Sequence, residues 1–136
     1  KQAFGAVGRL APSYCTQDGV VPRTQLPHML KEISRIGTHY DVRIVNVFHA
    51  GDGNLHPIVL FDERDEDQVH RALSASRDIL DECIRVGGSV TGEHGIGHGK
   101  IEFLTAEHGE AVSVMRALKM AIDPMNIMNP GKIVRL

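Results

Sequence analysis

Apolar positions along the chain follow two different periods. From Leu26 the spacing is helical: Leu26, Met29, Leu30, Ile33 and Ile36 share one face of a 3.6-residue repeat, with Thr24 placed to cap the start and Gly37 near the exit. Val42 to His49 and Leu55 to Phe61 are short runs rich in β-branched and aromatic residues, which reads as a pair of strands. Both faces of that pair are apolar. Val45, Val47, Ile58 and Leu60 lie on one, and Ile44, Phe48, Val59 and Phe61 on the other, so the hairpin needs cover on both sides. The acidic stretch Asp62 to Asp67 then suits the positive end of a helix dipole, and leads into Val69, Leu73, Ser76, Leu80, Cys83 and Ile84 before Gly87-Gly88 stops the helix.

Asp18 to Arg23 reads as a short strand ended by Pro22, and Ser89-Val90-Thr91 as a last one. The order β-α-β-β-α-β predicts an α+β, ferredoxin-like fold, with both helices on one face of a four-stranded antiparallel sheet. The face bearing Val45, Val47, Ile58 and Leu60 is then left to another domain, to a second copy or to the chain's own terminal segment. Lys100 to Leu104 predicts a helical turn, and Ala111, Val112, Met115, Leu118 and Ile122 a C-terminal helix ended by Asp123-Pro124. Residues 1–17 show no clear period and start at Lys1, so they read as a lead-in from a preceding domain. The expected organisation is therefore 1–17 lead-in, 18–92 sheet domain, and 93–136 glycine-rich loop with a helical tail.

Composition narrows the function classes. With 136 residues, 42% of them apolar and 24% charged, the chain has the make-up of one globular core. A net charge of −2 and an aromatic content of 4% with no Trp argue against nucleic acid as a partner. No run approaches the length of a membrane-spanning helix. Cys15 and Cys83 stand far apart and outside any metal-type spacing, which suggests reduced thiols in a cytosolic setting.

Two clusters carry candidate chemistry. The first is His49-Ala50-Gly51-Asp52-Gly53-Asn54-Leu55-His56. A two-residue type I′ turn at Asp52-Gly53 would set His49 directly opposite His56, on one face, with Cβ atoms roughly 4.5–5.5 Å apart. That is close enough for both imidazoles to hold one ion. A histidine pair at a hairpin tip is more often a surface pair, but the second cluster, Gly92-Glu93-His94-Gly95-Ile96-Gly97, shifts the balance. Its glycines cost backbone entropy unless the chain bends sharply there or something approaches closely. Glu93 offers a carboxylate ligand and His94 a non-ligating base beside it. A phosphate loop is excluded, because His94 stands where its first glycine belongs and Ile101 where Ser or Thr should follow Lys100. His28, His39, His70 and His108 read as surface residues, and His98 lies inside the glycine cluster.

Together with Pro57 and the tail Asn129-Pro130-Gly131-Lys132, these clusters strongly resemble the C-terminal part of FAD-linked 2-hydroxyacid dehydrogenases of the D-lactate dehydrogenase and glycolate oxidase type. The resemblance implies that His49, His56 and Glu93 hold a divalent ion (Zn, Mn or Fe) and that His94 is the catalytic base. It also implies cofactor contacts at Asn54, Asn129 and Lys132, with Arg23 gripping the substrate carboxylate. The FAD would be bound mainly by a domain that precedes this region, and the fragment alone would be inert. Implied partners are a small 2-hydroxy acid, the FAD-binding domain, and other oxidase subunits including an electron acceptor, in the cytoplasm or peripheral to the inner membrane. Two other classes compete on fold alone: a ferredoxin-like ligand-binding or regulatory module, and a stand-alone metal-dependent hydrolase. Flavin absorbance in the full-length protein favours the dehydrogenase, metal content with hydrolysis and no flavin the hydrolase, and neither the binding module.

Overall fold

The computed structural model describes residues 6–136 and divides into two compact units, the first running up to Gly92 and the second from Glu93 to Leu136. The first unit holds strands β1 (Ser13–Thr16), β2 (Gly19–Val20), β3 (Arg43–His49) and β4 (Asn54–Phe61), with helices α1 (Leu26–His39) and α2 (Glu66–Arg85). β4 is the central strand. It pairs antiparallel with β3 along one edge, and with β2 and then β1 end to end along the other. An open antiparallel sheet with helices packed on it is the mixed α+β architecture the pattern predicts.

Two strands differ from expectation. Ser89–Thr91 is reduced to one bridge between Ser89 and Val20. Beyond it the backbone turns aside, with Thr91 N–H on Ser89 Oγ and Gly92 N–H on Asp18, so no ladder can continue. Conversely, Ser13–Thr16 in the lead-in is a strand, in register from Ser13 with Phe61 to Thr16 with Ile58. The half of β4 that β2 does not reach would otherwise present unpaired backbone groups, and this segment satisfies them.

The helices follow their caps and their packing. α1 ends two residues after Gly37, near the exit as expected; the glycine is buried, and a Cβ on it would stand 3.1 Å from Val42 O. Thr24 lies in a 3₁₀ turn, Arg23–Gln25, and makes no cap; Gln25 precedes the helix without a side-chain cap bond, and Pro27 sits in the first turn. In α2 the Asp65 carboxylate accepts the Asp67 and Gln68 N–H groups at 3.0 and 3.2 Å, and Gly88 N–H closes the far end on Cys83 O at 2.8 Å. The buried stripe of α2 is Ala72, Ala75, Ser76, Ile79, Leu80 and Cys83, whereas Leu73 is 59% exposed. Small side chains at 72 and 75 let the helix sit close to the sheet, which a Leu facing inward would prevent.

The core between helices and sheet joins Met29, Ile33 and Ile36 of α1, Ala72, Ala75, Ile79 and Cys83 of α2, and Val21, Leu55 and Val59. On the opposite sheet face Val7 and Ala11 pack against Ile58, Leu60, Val45 and Val47. The chain's own residues before β1 thus supply cover for the second face. In the second unit, a 3₁₀ turn (Ile101–Phe103), α3 (Leu104–His108) and α4 (Ala111–Ile122) surround a small core of Leu104, Val112 and Val134, with Ile96 and Met115 against it. Leu118 and Ile122, which continue the helical spacing, are 59% and 71% exposed, because only the first turns of α4 reach that core.

The stripe on α2 is testable by chemical denaturation. Ile79→Ala should lower the unfolding free energy by about 2–5 kcal/mol, and Leu73→Ala should change it by no more than about 0.5 kcal/mol. Equal losses would contradict the orientation of α2.

Candidate metal centre

The hairpin sets the geometry. His49 pairs with Asn54 and Val47 with His56, so the register is displaced by two residues from the direct His49–His56 pairing that a two-residue turn would give. The connection is instead the four residues Ala50 to Gly53, with the Asp52 and Gly53 N–H groups both on His49 O at 3.0 and 3.1 Å. A type I′ turn needs positive φ at both central residues, and only Gly53, at +77°, has it. Gly53 is tied elsewhere: its carbonyl accepts Val21 N–H at 3.0 Å, and a Cβ there would fall 2.1 Å from Val21 O. Because the displacement is even, every side chain keeps its face. His49 and His56 are diagonal neighbours on the same side, ring centroids 5.3 Å apart and planes at 89°, with His49 exposed and His56 3% exposed.

Behind His56 lies Asp18, which the sequence reading places only at the start of a short strand, with no role in the site. Asp18 is wholly buried; its Oδ2 accepts the Thr91 hydroxyl and the Gly92 N–H, each at 2.9 Å, and its Oδ1 lies 3.9 Å from His56 Nδ1. The sequence signals at this position are a carboxylate beside the apolar run Gly19-Val20-Val21 and its place in the stretch Asp18 to Arg23, and neither assigns it a ligand or a partner. Asn54, at the start of β4, is buried, and its Oδ1 has no hydrogen-bond partner among the described residues. Gly92 owes its glycine to this packing, since a Cβ would stand 2.7 Å from Asn54 Nδ2 and 2.6 Å from Val20 Cγ2. Arg23 is exposed, its Cγ facing Gly53 of the hairpin loop.

Of the residues singled out from the sequence, His49 and His56 are thus brought together, with Asn54 paired to His49 across the ladder. Two imidazoles with a nearby carboxylate form a nitrogen and oxygen donor set that suits Zn, Mn or Fe. Glu93 and His94 are exposed and open the second unit. Asn129 and Lys132 stand close together in the tail turn, where Asn129 takes φ +48°. They line an open cleft of about 580 Å³ with Gly95, Ile96, Met115 and Ile133. The same cleft holds an ion pair whose carboxylate is buried. Asp123 accepts the Lys119 ammonium and the Ile127 and Met128 N–H groups, the latter two at 3.0 and 2.9 Å, while Lys119 also donates to Met128 O. His28, read as a surface residue, bridges the helices by bonding Glu82 at 2.5 Å.

Comparison with known proteins gives a consistent picture. The family model described as FAD linked oxidases, C-terminal domain, matches residues 1–133. The chain is 47% identical over 133 residues to glycolate oxidase subunit GlcD of Escherichia coli (strain K12), covering 97% of this chain and 27% of that protein. Against GlcD of Bacillus subtilis (strain 168) the identity is 42%, over 98% of this chain and 28% of the relative. Against the mitochondrial D-lactate dehydrogenase (cytochrome) of Arabidopsis thaliana it is 36%, over 98% and 24%. The chain therefore spans about a quarter of the length of these relatives. A solved structure of 4-ethylphenol oxidase from Gulosibacter chungangensis, in its isoeugenol complex, aligns with a TM-score of 0.68 at 16% identity, over 98% of this chain and 27% of that one, a likeness of fold alone.

The Asp123 pair makes a prediction for the second unit. Lys119 beside it, helped by the two backbone donors, holds the Asp123 carboxyl below its ordinary value of 3.8. A carboxylate with a depressed pKa contributes its stabilisation fully above the ordinary value and loses it as pH falls through the depressed one. Amide exchange should therefore show Ile127 and Met128 protected above pH 3.8 and progressively released below it. In Asp123→Asn both amides should exchange faster at neutral pH; unchanged exchange would contradict the role of the pair.

Proposed function

We propose, for a chain that belongs to the family of FAD linked oxidase C-terminal domains, that it forms the substrate- and metal-facing part of a flavoenzyme. The reaction is oxidation of a small 2-hydroxy acid, of glycolate or D-lactate type, to the 2-oxo acid, and the names of the curated relatives support it. The observation that carries the reading is the His49–His56 pair on one sheet face, ring centroids 5.3 Å apart, with the Asp18 carboxylate behind His56.

In this reading His49, His56 and Glu93 would hold a divalent ion. When bound, FAD would supply the acceptor for the substrate's Cα hydride and the ion would supply a Lewis acid for the substrate oxygen. His94 stays outside the ligand set, so its imidazole keeps a lone pair for the hydroxyl proton. Arg23 offers a planar fork of donors that matches the substrate carboxylate. Asn54, Asn129 and Lys132 contact the cofactor, which in this reading is bound mainly by a separate FAD-binding domain. The word "subunit" in the bacterial relatives' names supports further partners, an electron acceptor among them.

The test is a substrate screen of the full-length protein with FAD and an artificial electron acceptor. Turnover of a 2-hydroxy acid supports the reading; hydrolysis without flavin sinks it. Within that assay His94→Ala should lower the rate by about 10²–10⁴ with flavin and metal retained, whereas Glu93→Ala should lower metal occupancy first. Near-normal turnover of a metal- and flavin-loaded His94→Ala protein would assign the proton to another group.

A further inference from the structure

Among the described residues two carboxylates are buried, Asp18 and Asp123. Burying a charged group is costly unless it is paired and hydrogen-bonded. Asp123 is answered by an ammonium, Lys119. Asp18 instead faces an imidazole, and its position is over-determined: two donors 73 and 74 residues away in the chain, the Thr91 hydroxyl and the Gly92 N–H, fix Oδ2 and so direct Oδ1 towards His56 Nδ1.

We propose that Asp18 is a positioning residue for the metal centre: it holds His56 with its proton on Nδ1 and Nε2 presented for ligation. The proposal rests on the reading of His56 as a ligand. A carboxylate facing one ring nitrogen favours the tautomer protonated there and leaves the lone pair on the other, and such a partner also raises ligand basicity. At 3.9 Å the two atoms are beyond direct hydrogen-bond distance, so the carboxylate acts on the Nδ1–H dipole across a short gap, and ligation at Nε2, which would put positive charge on the ring, would strengthen that attraction. Through its second oxygen Asp18 also fixes Gly92, the residue from which Glu93 extends. One buried side chain thereby sets both the ring of one ligand and the backbone leading to another.

Asp18→Asn separates this role from mere packing, because it keeps the size of the side chain and an oxygen for Thr91 and Gly92 while turning an amide N–H₂ towards Nδ1. An amide there donates, which favours the opposite tautomer. In the full-length flavoprotein, Zn²⁺ affinity measured against a chromophoric chelator should fall about 10–100-fold in Asp18→Asn. The Co²⁺-loaded variant should show a shifted visible spectrum, with flavin content and melting behaviour unchanged. Wild-type Zn²⁺ affinity and Co²⁺ spectrum in Asp18→Asn, alongside loss of metal in His56→Ala, would overturn the proposal and leave the ligand reading intact. Wild-type affinity in His56→Ala would sink the ligand reading and the proposal with it. Loss of metal in Asp18→Asn as complete as in His56→Ala would make Asp18 a ligand rather than a positioning residue. Should Asp18→Asn fail to fold, Thr91→Val, which removes one orienting donor and keeps the charge, should lower Zn²⁺ affinity several-fold; wild-type affinity there would overturn the proposal.

Discussion

The constraint on which the first unit depends is that β4 is hydrogen-bonded along both edges and buried on both faces. Its backbone must be satisfied by three different strands, and each pairing restricts the others. β2 takes the residues next to the hairpin loop, and Val21 is bonded to Gly53 inside that loop. The loop therefore cannot shorten to two residues without losing a contact to a strand that lies far away in sequence. Further along, Pro57 has no N–H to give, but its carbonyl accepts Gln17 N–H at 2.9 Å, at the break between β1 and β2. Asp18 is the next residue. The interruption in the edge strand is thus where a carboxylate turns inward beneath the histidine pair.

Local signals were legible and non-local ones were not. The helix α2 was readable at both ends, since Asp65 and Gly87-Gly88 act on their immediate neighbours. Its inward face departs from the apolar spacing at Leu73, because a hydrophobic count favours Leu over Ala, while packing close to the sheet favours Ala72 and Ala75. β1 was unreadable: four residues, Ser13 to Thr16, carry no period, and they are extended only because β4 has an open edge to fill. The Asp52-Gly53 turn is a strong hairpin signal in isolation, yet the tie between Gly53 and Val21 overrides it. The faces survived that error, since a two-residue displacement preserves alternation.

The same division applies to the site. His49 and His56 share a strand pair, so their common face could be read from alternation alone. Asp18 acquires its meaning from partners 73 and 74 residues downstream, which no spacing rule reveals. Gly92 is one of the glycines that a sharp bend or a close approach must explain, and its reason is the close approach of Asn54 and Val20. Chemistry here follows from topology: the strand that closes the sheet, the break in its neighbour and the loop at its end converge on one pair of imidazoles.

The central claim is that His49 and His56 share one ion. X-ray absorption at the zinc edge of the full-length protein tests it directly. Two imidazole nitrogens at about 2.0–2.1 Å are predicted, with one of them lost in each single alanine variant of these histidines. A spectrum without imidazole scattering, or one unchanged by both substitutions, would contradict the account.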